Sequence, residues 1–284
     1  MSGASRAGGP PVWRGAGGVP AHAGMIALAL VVLFPLLFAV STSLKPAAEI
    51  DRYPPTLWPH APTLANYADA LAKAPLGRFL LNSVVQAGAV TLGQLLTSAL
   101  AAFAFAFIDF PGRRALFFAF LATLMVPVEV TLIPNYLTIR AFGWLNSYTA
   151  LVVPFLATAF GTFLLRQFFL TIPRELADAA RIDGCSRRRF LWTIVLPLAR
   201  PALATLAIYT FLSTWNQYLW PLLVINSTAM RTVQIGLALL QAQEVVSWGL
   251  VMAGVVIIVL PTAAVFVLGY RHVVRGLTAG AVKG

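Results

Sequence analysis

Residues 173–201, PRELADAARIDGCSRRRFLWTIVLPLARP, set arginines and acids between stretches of chain that carry almost no charge. Pro173 suits the first turn of a helix, and Glu175 and Asp178 favour its positive N-terminal end. Ala177, Ala179 and Ala180 add high helix propensity with small side chains. Asp183-Gly184 is a turn signal, and Ser186 is placed to cap a second short helix through Arg187, Arg188, Arg189, Phe190, Leu191 and Trp192. Pro197 and Pro201 then close the segment and open the next apolar run. The expected product is helix, turn, helix. Small alanines and Gly184 let another surface approach the backbone, and Phe190 is expected to offer an aromatic knob to a pocket. The segment reads as a docking loop for something soluble.

Outward from this loop the chain is lipid-adapted. Of its 284 residues 59% are hydrophobic and only 10% charged, and the mean hydropathy is +0.82, far from the composition of a soluble domain. Windows free of Lys, Arg, Asp and Glu run over 15–44, 79–108, 141–165, 201–230 and 245–270, and a sixth, 115–139, is broken only by Glu129. About 20 apolar residues cross hydrocarbon as a helix, and the runs are too long and uniform for barrel strands. The expectation is an all-α integral membrane protein with six transmembrane helices, near 24–44, 82–108, 115–138, 147–169, 202–225 and 248–270. They form one domain over 24–270 with its loop at 171–200. Residues 1–23, rich in Gly, Ala, Pro and Arg, are expected as a disordered cytoplasmic tail, and 271–284 as a second cytoplasmic tail. No internal repeat marks two homologous halves.

Basic residues near span ends resist translocation. Fourteen of the 20 fall on one side, in both termini, at Arg113 and Arg114, and across the 166–200 region; Lys45, Arg52, Lys73, Arg78, Arg140 and Arg231 fall on the other. Both termini are therefore expected in the cytoplasm. This dispersal over span flanks also accounts for the net charge of +11 without nucleic acid as a partner. Catalytic signatures are missing. The single cysteine, Cys185, and the scattered His22, His60 and His272 build no metal site, and no phosphate-binding Gly-rich loop with Lys and Ser/Thr occurs.

Glu129 is the one acid inside a span, a position that usually faces a bundle interior or a water cavity. Pro127, Pro134 and Asn135 beside it point to an irregular helix. With Trp215, Asn216 and Gln217 in the fifth span, Glu129 and Asn135 are candidates for lining a polar passage, the indole offering a face for a sugar. Two alternatives stand beside this reading. Trp215, Tyr218 and Trp220 would also suit an interfacial aromatic belt, and Glu129 an interfacial ion pair with an arginine.

The docking loop resembles the EAA loop of membrane subunits of ATP-binding-cassette (ABC) importers. The counterparts are Asp178, Ala179, Ala180, Gly184 and Leu196-Pro197, with Asp178 in place of the usual Glu and Cys185 where a small residue is common. The segments 79–83 (FLLNS), 101–105 (AAFAF), 110–113 (FPGR), 126–129 (VPVE) and 163–169 (FLLRQFF) resemble the carbohydrate-uptake branch. The C-terminus, 276–284 (GLTAGAVKG), is similar to that of the maltose-type second membrane subunit. Residues 215–221 (WNQYLWP) and the Glu129 segment are similar to the second membrane subunit of glycerol-3-phosphate importers.

This resemblance implies a type I ABC importer permease fold with a cytoplasmic coupling helix, in the bacterial inner membrane. It implies as partners a second, different permease subunit, two copies of a cytoplasmic ATPase and an extracellular substrate-binding protein. This chain would bind no cofactor itself; ATP and Mg would be used by the ATPase. Glu175, Asp178, Ala179, Ala180, Asp183, Gly184, Phe190 and Pro197 become the expected ATPase-docking set, and Leu277, Thr278 and Lys283 an expected C-terminal contact with the ATPase. The implied cargo is a sugar or polyol, with glycerol-3-phosphate or a glycerophosphodiester as the alternative. An ion-coupled secondary transporter is the rival of another class, disfavoured because Glu129 stands alone within the spans.

Overall fold

The computed structural model describes residues 19–241 and 247–278, with side chains over 21–241 and 247–269. Among the described residues there are helices and no strands. The chain begins with α1 (Val19–Ser43), whose start lies inside the region expected as tail, and residues 1–18 of that region fall outside the described part. Two short helices follow, α2 (Ala47–Ile50) and α3 (Ala65–Lys73), and then the longest span, α4 (Leu76–Phe107).

In the middle of the chain the expected windows are filled by bent pairs of helices instead of single ones. Window 115–138 consists of α5 (Arg113–Ala122) and α6 (Val128–Ala141), bent by 97° at a break before Val128. Pro127 is the cause, since its ring lacks the N–H that a continuing helix would need and disfavours helical geometry at Val126. The fourth window consists of α7 (Tyr148–Val152) with a 3₁₀ turn, then α8 (Ala159–Phe169), bent by 45°. The loop supplies α9 (Arg174–Ile182), α10 (Arg187–Phe190), a π turn and α11 (Leu196–Leu198). After a 79° bend α12 (Arg200–Trp215) ends ten residues before the expected limit at 225. The remainder of that window is a separate short helix, α13 (Leu219–Val224), followed by α14 (Val233–Gln241) and the last span, α15 (Trp248–Thr278).

A break inside a span frees backbone carbonyls that must be satisfied within the protein. At the break before α8 this falls to α4. Gln94 Nε2 donates to the Phe155 carbonyl (2.7 Å) and Thr97 Oγ1 to the Leu156 carbonyl (2.6 Å), while Thr210 Oγ1 of α12 donates to Gln94 Oε1 (2.9 Å). Gly161 lies where these three helices meet; a Cβ there would come within 2.5 Å of Ser98 Oγ and 3.1 Å of Leu206 Cδ2. α4 is thus the central post, packed on α8 and α12, and α15 closes the other side against α1 and α12.

The core falls into three clusters. One joins the ends of α4 and α8 to the docking loop through Phe103, Leu165, Phe169, Phe190 and Val195. A second, at the other end of α4, gathers Leu76, Phe79, Trp215, Leu240 and Leu250. The third packs Ile139, Leu151, Trp220 and Val224. The FLLNS segment proves architectural. Asn82 Nδ2 donates to the carbonyls of Ala229 (3.0 Å) and Arg231 (2.9 Å), Asn82 Oδ1 accepts from Tyr148 Oη (2.6 Å), and Ser83 Oγ accepts from the Val233 amide (2.9 Å). Outside these clusters α1 and α5–α6 present Leu28, Val31, Val32, Met125, Val128 and Ile133 as exposed apolar side chains, a surface suited to lipid or a partner helix.

Candidate functional site

The docking loop is built from local signals. α9 ends in a Schellman motif: the Cys185 amide donates to the Ala180 carbonyl (2.8 Å) and the Gly184 amide to the Arg181 carbonyl (3.1 Å). Gly184 sits at φ +68°, and a Cβ there would meet nothing within 4 Å. Glycine is therefore required by the turn's left-handed backbone, not by crowding inside the chain. Ser186 caps α10 as expected, its Oγ accepting from the Arg189 amide (3.3 Å).

This geometry splits the expected docking set between two faces. Ala180 and Phe190 are buried in the loop's own core, with the Phe190 ring edge-on to Phe107 at 5.4 Å and 6.1 Å from Phe103. The expectation of Phe190 as an outward knob is corrected here. Its ring fastens the loop to α4, because the turn at Gly184 folds α10 back over the phenylalanines of the AAFAF region. Pro197 is half-buried at the base of α12. Glu175, Asp178, Ala179, Asp183 and Gly184 remain exposed, and the Arg181 guanidinium reaches Asp178 at 3.4 Å.

Sequence reasoning missed Ile182. It is 86% exposed, and with Glu175, Asp178 and Ala179 it forms one stripe at helical spacing. The available signal was a large aliphatic residue just before the Asp-Gly turn, off the alanine face that packs inward. An isoleucine this exposed between charged neighbours at the tip of a fixed loop is a ready apolar anchor for another protein.

The second assembly is an open cleft of about 370 Å³ between α6 and the break that follows α12. It brings together Glu129, Asn135, Asn216 and Gln217, four of the five residues expected along a passage. Glu129 lies in the first turn of α6, where the helix dipole favours a carboxylate, and among the described residues it has no arginine partner, so the interfacial ion pair is not formed. Gln217 Oε1 accepts from the buried Gln86 of α4 (3.0 Å), and Asn216 Nδ2 donates to the Leu212 carbonyl (2.9 Å). These bonds fix the Asn216 and Gln217 side chains at the break as a polar ledge.

Trp215 does not join the cleft. It is 2% exposed and stacked on Phe211 at 5.7 Å, because four residues along α12 return it to the face packed against the second core. Trp220 is buried too, donating from Nε1 to the Ala150 carbonyl (2.9 Å), so neither forms an interfacial belt. At the C-terminus Leu277 and Thr278 fall in the last turn of α15 with side chains beyond the described part, and Lys283 lies outside the described residues.

Comparison with known proteins bears on both assemblies. Residues 94–279 match the family of binding-protein-dependent transport system inner membrane components, a range that holds the docking loop and the cleft. The chain is 39% identical over 264 residues to the sn-glycerol-3-phosphate transport system permease protein UgpE of Yersinia enterocolitica, covering 90% of this chain and 94% of that one. It is 40% identical over 265 residues to its counterpart from Rhizobium meliloti, with the same coverage. Its fold matches a chain in the crystal structure of a bacterial ABC transporter involved in the import of the acidic polysaccharide alginate, with a TM-score of 0.81 at 23% identity, covering 89% of this chain and 95% of that chain. The chain therefore belongs to the binding-protein-dependent transport system inner membrane components: it is a multi-pass permease subunit of an ABC importer, and not itself an enzyme.

Proposed function

We propose that the exposed stripe Glu175, Asp178, Ala179 and Ile182 is the surface through which a cytoplasmic ATPase drives this permease, with both chain termini on the same cytoplasmic side. The observation that carries this reading is the division of the loop. One face is locked into the core by Ala180 and Phe190, while the opposite face is held rigid and left uncovered. A loop anchored in this way passes a push from outside into α4 and α12 instead of absorbing it. Coupling further requires that nucleotide binding favour one conformation of the membrane chains over the other. In the complete importer this chain pairs with a different permease subunit, two ATPase copies and an extracellular binding protein, the ATP and Mg residing in the ATPase.

The cargo we infer is a small polyol phosphate of the sn-glycerol-3-phosphate class, in preference to a free sugar. Support comes from the names of the relatives at 39–40% identity over nine-tenths of the chain. Glu129, Asn135, Asn216 and Gln217 would give the cargo's hydroxyls a polar ledge, while the phosphate charge would be met by the binding protein and the partner permease. Gly184→Val tests the drive: left-handed backbone costs a β-branched residue about 1–2 kcal/mol and displaces the stripe. Uptake and ATPase co-purification should both fall at least about tenfold; unchanged values of both would refute the docking role. ATP-dependent uptake of labelled glycerol-3-phosphate, competed by unlabelled ester but not by maltose, tests the cargo.

A further inference from the structure

Two sequence segments that the transport role leaves unexplained, FPGR at 110–113 and FLLRQFF at 163–169, meet in space. Arg113 and Arg114 from the start of α5 and Arg166 from the last turn of α8 line one cleft of about 210 Å³, with Phe117 and Phe118 completing its wall. The cations are poorly compensated. Arg113 Nη1 donates to Asp109 Oδ1 (2.8 Å) and to the Ile108 carbonyl (3.1 Å), Arg166 Nε donates to the Phe105 carbonyl (3.3 Å), and Arg114 has no polar partner among the described residues. The Asp109 side chain is 93% exposed. Of the three guanidinium groups, only that of Arg113 meets a carboxylate among the described residues. Two of them also stand at the positive end of α5, whose first turn holds no acid.

The Arg166 guanidinium lies over the Phe117 ring, 4.1 Å from its centroid, which fixes one cation at the cleft floor. On the other side the wall continues along the exposed apolar stripe that begins at Phe118, 58% exposed, and runs on to Met125, 85% exposed. The cleft is charged at its head and greasy along its flank.

The geometry points to a binding site for the phosphate headgroup of an anionic phospholipid, its acyl chain lying along Phe118 and Met125. An adjoining apolar wall selects a lipid over a free phosphate ion, and Arg presents a planar donor fork to phosphate oxygens. The site lies at the loop end of α8, so a bound lipid would brace the helix from which the docking loop leaves.

The assembled importer, purified in detergent and mixed with phosphatidylglycerol or phosphatidylcholine, provides the test by native mass spectrometry. Phosphatidylglycerol should be retained preferentially. Arg114→Gln, which breaks no contact within the chain, should weaken that retention about fivefold, and the triple Arg113, Arg114, Arg166→Gln variant by more than an order of magnitude. Arg114→Lys should restore most of it, and phosphatidylcholine retention should not change. Equal retention of phosphatidylglycerol by wild type and Arg114→Gln would overturn the site. Displacement of the lipid by millimolar inorganic phosphate would overturn the lipid as occupant, and loss of the ATPase from Arg114→Gln with lipid retention intact would reassign the cleft to a protein contact.

Discussion

The docking loop and the polar cleft are made in opposite ways. The loop is local: its cap, its Schellman turn and its inward alanines all lie within residues 173–190, and the turn bonds span five residues or fewer. The cleft is assembled at a distance, from Glu129 on α6 and Gln217 beyond α12, with Gln86 of α4 bracing it across 131 residues of sequence. A locally encoded surface can be altered on its exposed face without disturbing the bundle. A surface made at a break between helices is less independent, because Asn216 also satisfies the Leu212 carbonyl and Gln217 is tied to Gln86 of the central post.

The sharpest break of this contrast comes from two substitutions eight residues apart in the loop. Phe190→Ala should destabilise the permease by about 3–5 kcal/mol, the range for removing a buried aromatic ring, and lower its melting temperature in detergent. Ile182→Glu should leave the melting temperature unchanged and reduce ATPase co-purification about tenfold, the loss expected when a charge replaces an exposed apolar anchor. If both variants behaved alike, the division of the loop into a fastening face and a contact face would be wrong.

The cleft should respond more mildly. Glu129→Gln keeps shape and removes charge, so a severalfold fall in transport kcat/KM with unaltered assembly is the expected result. A wholly unaffected rate would leave Glu129 without a part in the passage. The smallest effect is expected far from both regions, in the segment after α1. There the His60 side chain, then Thr56 and the His60 amide, bond the Glu49 carboxyl and hold it at about 2 against a usual 4.5, although partial burial works the other way. A depressed carboxyl contributes stability that is complete above pH 4.5 and is lost as pH falls towards about 2. The stability difference between wild type and His60→Ala should therefore shrink as pH falls from 4.5 towards about 2. A difference that grew on acidification would contradict the assignment.

What was legible in the sequence follows the same division. Pro173, Asp183-Gly184 and Ser186 announced the helix, the turn and the cap, because such signals act on their own neighbours. The apolar windows mark long helical regions because a membrane imposes a length, and α1, α4 and α15 fill theirs as single helices. Hydropathy could not show that Pro127 ends a helix where Pro134 is absorbed inside one, nor that the fifth span stops at Trp215. Those outcomes depend on which neighbour accepts the freed backbone groups. Phe190 was misjudged and Ile182 passed over for a related reason: composition marks a side chain as apolar without saying whether its own chain or another covers it.

The two regions are nevertheless the two ends of one element. α12 starts against the docking loop at Ala199 and stops at the ledge formed by Asn216 and Gln217, a rod of about 24 Å at 1.5 Å per residue. Thr210 and Gln94 pin it near its far end to the central post. A stiff rod held near one end behaves as a lever with unequal arms. Tilting it by about 10° about Thr210 would displace the loop end by about 2.6 Å and the ledge end by about 1.3 Å, the long arm lying on the side of the 173–200 loop and the short arm at the ledge. Large swings of the loop would thereby be geared down to small, forceful adjustments at the cleft, which trades reach for grip.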